Sequence, residues 1–424
     1  MSKTPHVSVV GGGLAGLVAA RHLAAGGASV TVLERNDEVG GRVRTRTEDG
    51  YRFDRGFQVL FPTYPAVARE LDLEALDLRR FAPGAVLARP GHRSTLSDPF
   101  REPTALPATL LNPDITIGDK LRVAKLRRDL TGTDPAEIFA GDDKSIASYL
   151  REYGFSPKFV ENFAAPFYGG ITLDRSLETS AAVFEYTFRT LSVGATAVPA
   201  GGMGEIPAQL GKYARRNGVT LETGVDVESV TADGDGATVV ADGDSHGSDA
   251  VVVATDPRSA RELTGLESIP TEGRACVTQY YALPEETDLE TGKRLLLNTG
   301  EEGPNQVVPH SEVAPEYAPE DATLVSATYL GEREESAEEL AETSRRTLES
   351  WFPERRFDRF EVRSTERVDF AQFAQPPGIH DELPDVRDPE GPVYLAGDYT
   401  QWSSIQGAMG SGYEAARAVL EDSV

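Results

Sequence analysis

The sequence predicts an α/β chain: a parallel β-sheet covered by helices, with an α+β part inserted into it. Three observations predict it. The opening stretch VSVVGGGLAGLVAARHLAAGGASVTVLER, Val7 to Arg35, reads as strand, glycine turn, helix and second strand. The closing stretch GPVYLAGDYTQWSSIQGAMGSGYEAARAVL is again a strand stopping at a glycine, then a helix of small residues. Between them, PAGGMGEIPAQLGKYA and the strands after it return to the same pattern, while the flanking regions do not.

In the opening stretch, Val7, Val9 and Val10 form a short apolar run that stops at glycines. Gly11, Gly13 and Gly16 have the G-x-G-x-x-G spacing, and Leu14, Leu17, Val18, Ala20 and Leu23 continue with helical period. The chemistry of this spacing is that of a dinucleotide site. The first glycine permits a tight turn, the second lets backbone approach a pyrophosphate, and the third lets helix and strand pack closely. The unpaired N–H groups and positive dipole end of the helix then face the diphosphate. The second strand ends on Glu34, about 20 residues on, where a carboxylate accepts hydrogen bonds from ribose hydroxyls. A glycine-rich turn without ligand is the competing reading, and FAD versus NAD is open at this point.

Composition bounds the rest. The 424 residues suffice for two domains or one large two-part fold. No run approaches the roughly 18 apolar residues of a membrane span. The chain reaches its first strand almost at once, which leaves no room for a signal peptide. A single cysteine, Cys276, excludes an internal disulfide and fits a reducing cytoplasm. Lys+Arg number 42 against 68 Asp+Glu, a net charge of −26. Such self-repulsion is tolerable where salt screens it, the Debye length being ~3 Å at 1 M. Adaptation to a salt-rich, halophilic cytoplasm is therefore expected, with an ordinary acidic enzyme as the alternative. Without a basic stripe, nucleic acid is excluded as a partner.

The continuation ERNDEVGGRVRT places Gly40, Gly41 and Arg42 where a second glycine turn approaches the same diphosphate, with Arg42 a bidentate donor to it. Here the chain resembles the FAD-dependent oxidoreductase family of monoamine oxidases, protoporphyrinogen oxidase and the carotenoid and squalene-type desaturases. The resemblance implies FAD and a Rossmann-like FAD-binding domain assembled from 1–65, 199–260 and 389–424. The substrate-binding domain would comprise 66–198 and 261–388. It adds Leu14, Ala15, Arg35 and Ala254 to the cofactor-binding set.

Taken in order, Tyr51 and Phe53 alternate as in a strand, and Asp54-Arg55-Gly56 turns the chain back toward the cofactor. At Gly56 a bulky side chain would collide with a flavin. The run Gly56-Phe57-Gln58 to Tyr64-Pro65 resembles the desaturase branch, which implies cofactor contacts at Phe57 and Gln58. From Ala66 to Val198 helices and proline-broken loops are expected, beginning with a helix over 66–73. The apolar Pro99–Pro113 loop, with Leu106, Leu110 and Leu111, precedes the basic helix LRVAKLRRDL. In the desaturase relatives this region forms the mouth of a substrate tunnel. Residues 99–130 are thus expected either to rest on an anionic bilayer or to be a solvated face paired with acids. Ser145 reads as a helix N-cap. The aromatic run Phe159 to Phe188 reads as core, although FAAPFYGG resembles the family's substrate-cavity element.

Beyond Pro199, Ile206–Ala214 reads as helix, and Asp233-Gly234 and Asp242-Gly243 as hairpin turns. Val227 matches the family position whose backbone pairs with adenine. Ala250–Ala254, Ala275–Leu283, Arg294–Asn298 and Thr323–Tyr329 read as strands, and a helix starting at Ser336 carries Leu340, Ser344, Leu348 and Trp351 on one face. In the last segment, Gly397-Asp398 would bind ribitol. The helix opening near Ile405, with Ser404 and Ala408, would present its positive end to the flavin.

The chemistry expected is hydride transfer from an apolar, isoprenoid or carotenoid-like substrate to flavin N5, with quinone or oxygen reoxidising the flavin. Two departures argue against amine oxidation. The strand Arg274–Thr278 has no lysine, and Ser404 and Ile405 stand where amine oxidases carry a cage aromatic, with Trp402 nearby. An amine or porphyrinogen oxidase, or a redox-neutral flavin-dependent isomerase or binding protein, are the alternatives. No metal site is readable, and no catalytic acid or base is assigned. The expected location is the cytoplasm, with peripheral contact on the inner face of the membrane if 99–130 touches lipid.

Overall fold

The computed structural model describes residues 4–98, 101–102, 112–234, 236–285 and 287–423. Its first sheet is five-stranded and wholly parallel, in the order Val393–Leu395, Ala250–Val253, His6–Val10, Ser29–Glu34, Thr220–Thr223. The first strand is central, so Val7, Val9 and Val10 are buried on both faces and read as a continuous apolar run. Helix Leu14–Ala25 packs on the sheet through Ala15, Ala19, Ala20 and Leu23, and helix Ile405–Asp422 packs beside it through Ala415, Ala416 and Val419.

These two terminal helices touch at backbone distance. A Cβ built on Gly412 would stand 2.2 Å from the Ala15 carbonyl oxygen. Gly412→Ala therefore must separate the helices, and overpacking of this kind costs about 1–3 kcal/mol. A lowered thermal midpoint with an unchanged denaturant slope would show it.

A second, seven-stranded sheet has the order Glu361–Phe373, Gly273–Pro284, Ala322–Leu330, Gln306–Pro309, Leu295–Asn298, Ala85–Arg89, His92–Leu96. All its pairings are antiparallel except Ala85–Arg89 with Leu295–Asn298. Helix Ala337–Trp351 covers one face. Ser336 caps it in a capping box, and Leu340, Ser344, Leu348 and Trp351 are the buried face. The buried Ser344 hydroxyl accepts from Tyr281 at 2.8 Å, so a polar residue on the apolar stripe is satisfied. A three-stranded antiparallel sheet runs Val227–Asp233, Gly236–Ala241, Asp244–Ser248. Asp242 and Gly243 both have positive φ in the second of its turns, as a tight two-residue hairpin requires.

The region 66–198 departs from the expectation of helices and loops alone. It contributes strands Leu78–Arg80, Ala85–Arg89, His92–Leu96 and Ala197–Pro199. Ala85, Val86, Leu87 and Ala88 are all buried, so the period-2 alternation that marks a half-exposed strand is missing. The expected helix over 66–73 is shorter, Pro65–Glu70, because Leu71 is extended.

Aromatic helices complete the fold. Pro157–Phe159, a π-helical turn Val160–Ala164 and Ala165–Thr172 form one continuous helical path, stacking Phe155 on Phe159 at 4.3 Å and Phe163 on Phe167 at 5.1 Å. Helix Ala181–Val193 packs against it, with Phe184 edge-on to Tyr168 at 4.6 Å. Helix Ile117–Thr131 is capped by Thr116 and held by Asp119. The buried Asp119 carboxylate accepts from Thr116 N at 3.0 Å, Ser156 N at 2.9 Å and Ser156 Oγ at 2.6 Å. Burial pushes this carboxyl up, but the bonds from Ser156 and Thr116 outweigh it and hold it below the usual range. A depressed carboxyl stabilises the fold above its unfolded value near ~3.9 and stops doing so as pH falls through its folded value. Asp119→Ala is expected to cost about 1–3 kcal/mol at pH 7 and to flatten the acid limb of the stability curve, read by melts across pH 3–7.

Candidate active site

At the carboxyl ends of the parallel strands lies a cavity of about 1030 Å³. Ligands of α/β sheets bind at this edge, because helix N-termini converge there. Nineteen of the twenty residues that the sequence assigned to cofactor binding line it: Gly11, Gly13, Leu14, Ala15, Glu34, Arg35, Gly40, Gly41, Arg42, Gly56, Phe57, Gln58, Val227, Ala254, Gly397, Asp398, Ser404, Ile405 and Ala408. The remaining one, Gly16, stands behind the wall: a Cβ there would fall 2.0 Å from the Gly11 carbonyl oxygen. Gly11 has φ +106°, and a Cβ on it would lie 2.6 Å from Ala254 O. Gly13 is different. Its backbone is extended (φ −74°, ψ −178°), and a Cβ on it would meet nothing within 4 Å.

Polar groups around this wall are partly engaged by the protein. Glu34 is buried and accepts from Gly12 N at 2.8 Å and Asn36 N at 2.9 Å, which fixes its carboxylate at the end of its strand. Arg42 pairs with Asp398 at 2.7 Å, and Asp398 also accepts from Ser403 Oγ at 2.9 Å. Burial lowers the Arg42 pKa, but its bonds to Asp398 more than offset this and the net shift is upward. Gln58 donates its amide to Arg42 O at 2.9 Å, while its Oε1 is buried with no partner among the described residues. An orphaned acceptor of this kind calls for a donor from outside the protein. The turn that carries Gln58 is set by buried Asp54, which accepts from Met203 N at 2.9 Å and Tyr317 OH at 2.8 Å.

Sequence reasoning missed several wall residues. Thr255 and Asp256 follow the Ala250–Val253 strand at its carboxyl end, where strand-end position alone could have flagged them. Asn36, Val225 and Asp226 line the same end, brought there by pairing of Ser29–Glu34 with Thr220–Thr223.

The cavity continues past this cradle into an apolar wall. Tyr64, Trp402 and Val183 line it first, Trp402 meeting Tyr64 edge-on at 6.0 Å. Val183, Thr187 and Leu191, spaced i, i+4, i+8 on one helix face, carry the lining onward to Ser192. From Val183 to Ser192 the helix rises about 13 Å. Phe159, Phe163, Phe167, Phe188 and Leu297 line the same stretch. The aromatic run expected as core is therefore both core and cavity wall: Phe159 and Tyr168 are buried in a cluster and border the lumen too. Cys276 lines the cavity from the strand where amine oxidases carry lysine, and burial pushes its thiol up to about 11.

The basic helix pairs its cations with acids and also exposes two apolar residues. Lys125 and Arg128 pair with Asp129, and Arg127 with Asp98, so its cations meet acids. Yet Ile117 and Leu121, one turn apart, are 75% and 69% exposed. Residues 99–100 and 103–111, with Leu106, Leu110 and Leu111 of the apolar loop, lie outside the described residues. No described helix is long and apolar enough to cross a membrane.

Comparison with known proteins bears on this geometry. Carotenoid 3,4-desaturase of Haloarcula japonica is 27% identical over 287 residues, covering 61% of this chain and 57% of that protein. Phytoene dehydrogenase of Streptomyces griseus is 30% identical over 291 residues, covering 61% of this chain and 56% of that one. The chain thus spans little more than half the length of these relatives. The structure of putrescine oxidase bound to putrescine superposes with a TM-score of 0.73 at 20% identity, over 99% of both chains, a likeness of fold. The profile described as flavin containing amine oxidoreductase matches residues 14–420. With nearly its whole length in that match, the chain belongs to the flavin-containing amine oxidoreductase family.

Proposed function

We propose that the protein binds FAD and removes hydride from an apolar, isoprenoid or carotenoid-like substrate as a desaturase or dehydrogenase. The observation that carries this reading is the single cavity that joins the glycine-lined cradle to an apolar wall some 13 Å further along one helix. A dinucleotide fits the cradle: Gly13 leaves an opening where a diphosphate needs close backbone, and Gln58 Oε1 offers an unused acceptor. Gly11, Gly13, Leu14, Gly41 and Arg42 would hold the diphosphate, Glu34 a ribose, and Asp398 the ribitol. Bound FAD supplies the two-electron acceptor.

The chain's own contribution is positional and electrostatic. The Ser404-capped helix Ile405–Asp422 opens at the cavity, its Ser404 Oγ accepting from Gly407 N at 2.8 Å. Its first N–H groups and positive dipole end favour negative charge accumulating in front of them. The aromatic and aliphatic wall excludes water from the reacting carbon. The absence of lysine between Arg274 and Thr278 and the names of two relatives, a carotenoid desaturase and a phytoene dehydrogenase, support the same substrate class. The Tyr64–Trp402 pair at the head of the wall favours a second reading, amine oxidation.

Peripheral contact with the inner face of a membrane belongs to the proposal. Ile117 and Leu121 project beside Lys125 and Arg128, a pattern that suits an anionic bilayer and would feed an apolar substrate and a quinone to the cavity mouth. Oxygen is the alternative acceptor. The net charge of −26 supports a salt-rich cytoplasm as the setting.

The test is anaerobic addition of substrates to the FAD-loaded protein at high salt. A C40 polyene delivered in liposomes is expected to bleach the flavin's visible absorption, with colour returning on addition of quinone or air. Bleaching by primary amines with peroxide release on aeration, and none by polyenes, would overturn the reading in favour of amine oxidation.

A further inference from the structure

Given an apolar substrate, we propose that the far end of the cavity holds a terminal oxyanion, so that the substrate is an apolar chain ending in a carboxylate or phosphate. Past Leu191 the lining changes character: Lys120, Arg101 and Arg127 border the lumen together with one carboxylate, Asp98. Among the described residues, three cations against one acid is a local reversal of charge on a chain of net −26. Helix ends fix two of the three. Arg127 donates to Ser192 O at 2.6 Å and pairs with Asp98, and Arg101 donates to Leu191 O at 3.0 Å. Both therefore sit at the negative end of helix Ala181–Val193, which keeps them charged and in place.

Arg101 carries the inference. Of the other arginines of the cavity wall, Arg35 pairs with Asp256, Arg42 with Asp398 and Arg127 with Asp98, while Arg55 is solvent-exposed. Arg101 forms no ion pair among the described residues, and the Leu191 carbonyl uses one of its five N–H donors. Burial depresses its pKa; Asp98 opposes this, and Arg127 and Arg80 add to it. Such a guanidinium gains from an arriving oxyanion twice over, through charge and through a planar two-donor fork. Capping a helix end would need neither the cluster nor its place on the cavity wall. The phosphate of a lipid headgroup at the mouth would meet the same chemistry, and the experiment separates the two sources.

The FAD-loaded protein is titrated with geranylgeranoate and with geranylgeraniol, identical isoprenoid chains ending in a carboxylate or a hydroxyl. Binding is read from perturbation of the flavin spectrum. The acid is expected to bind about tenfold more tightly than the alcohol, and Arg101→Gln to remove that preference while changing alcohol affinity less than about twofold. Equal binding of the two by the wild type would overturn the proposal and leave the apolar-substrate reading standing. So would an Arg101→Gln variant that weakens both ligands alike, which marks a packing role. A variant whose only loss is binding to phosphatidylglycerol vesicles would place the oxyanion on lipid and overturn it too. Failure of both ligands to bind would sink the apolar-substrate reading and this proposal with it. The acid-to-alcohol ratio of the wild type decides the matter even if the variant does not fold.

Discussion

Gly13→Val is expected to yield a folded protein that purifies colourless and stays so in excess FAD. The three glycines of the opening motif differ in what requires them. Gly16 is required by the fold, since a Cβ would stand 2.0 Å from Gly11 O, and Gly11 by its φ of +106° together with the 2.6 Å approach of Ala254 O. Gly13 is required by nothing inside the protein: its dihedrals suit any residue and a Cβ would have open space around it. A glycine the fold does not need, at a helix N-terminus on a cavity wall, is explained by a ligand that approaches the backbone there. Valine at this N-cap should cost at most about 1 kcal/mol in apoprotein stability. Its branches would occupy the space of the diphosphate, lowering FAD affinity at least 100-fold, about 2.7 kcal/mol. Thermal melting of the apoprotein and flavin titration separate the two effects. Wild-type FAD affinity in this variant would remove the assignment of the cradle.

Most of the cradle was legible in the sequence because it is built from local signals. A strand, a glycine turn and a helix each depend on neighbours within a few residues, and Glu34 follows at a spacing set by one helix and two strand lengths. Caps were legible for the same reason: Ser145 accepts from Ser148 N, and Ser336 stands in a box with Glu339. The second sheet was less so. Ala85–Arg89 lies parallel to Leu295–Asn298, with Leu87 opposite Leu297, a pairing across some two hundred residues that no local pattern announces. Strand Gln306–Pro309 is four residues long and wholly buried, so it offers neither length nor alternation. The orphaned Oε1 of Gln58 and the ion pair of Arg42 with Asp398 depend on segments that meet only in the folded chain. The dual role of the aromatic run was hidden in another way. Core and cavity walls select the same residues, and only the packing shows which ring faces the lumen.

That lumen is where the substrate class is decided, and Thr187→Phe should decide it. Val183, Thr187 and Leu191 form a stripe along one face of helix Ala181–Val193, so a phenyl ring at the middle position would cut the apolar part of the cavity into two short chambers. Thr187 is buried, and its replacement has cavity to grow into, so the protein should keep its fold and its flavin. A long polyene threaded past this point could no longer reach the flavin end. Its oxidation should fall at least about 100-fold, equivalent to roughly 2.7 kcal/mol in the barrier. A small amine, held beside Tyr64 and Trp402, would not extend so far and should be oxidised unchanged by an amine oxidase bearing the same substitution. Thr187→Val, which keeps shape and removes only the hydroxyl, should leave polyene oxidation within about threefold of wild type. Rates of anaerobic flavin bleaching measure each case. A Thr187→Phe enzyme that reduces its flavin with the C40 polyene as fast as wild type would mean that the chain does not lie along this wall.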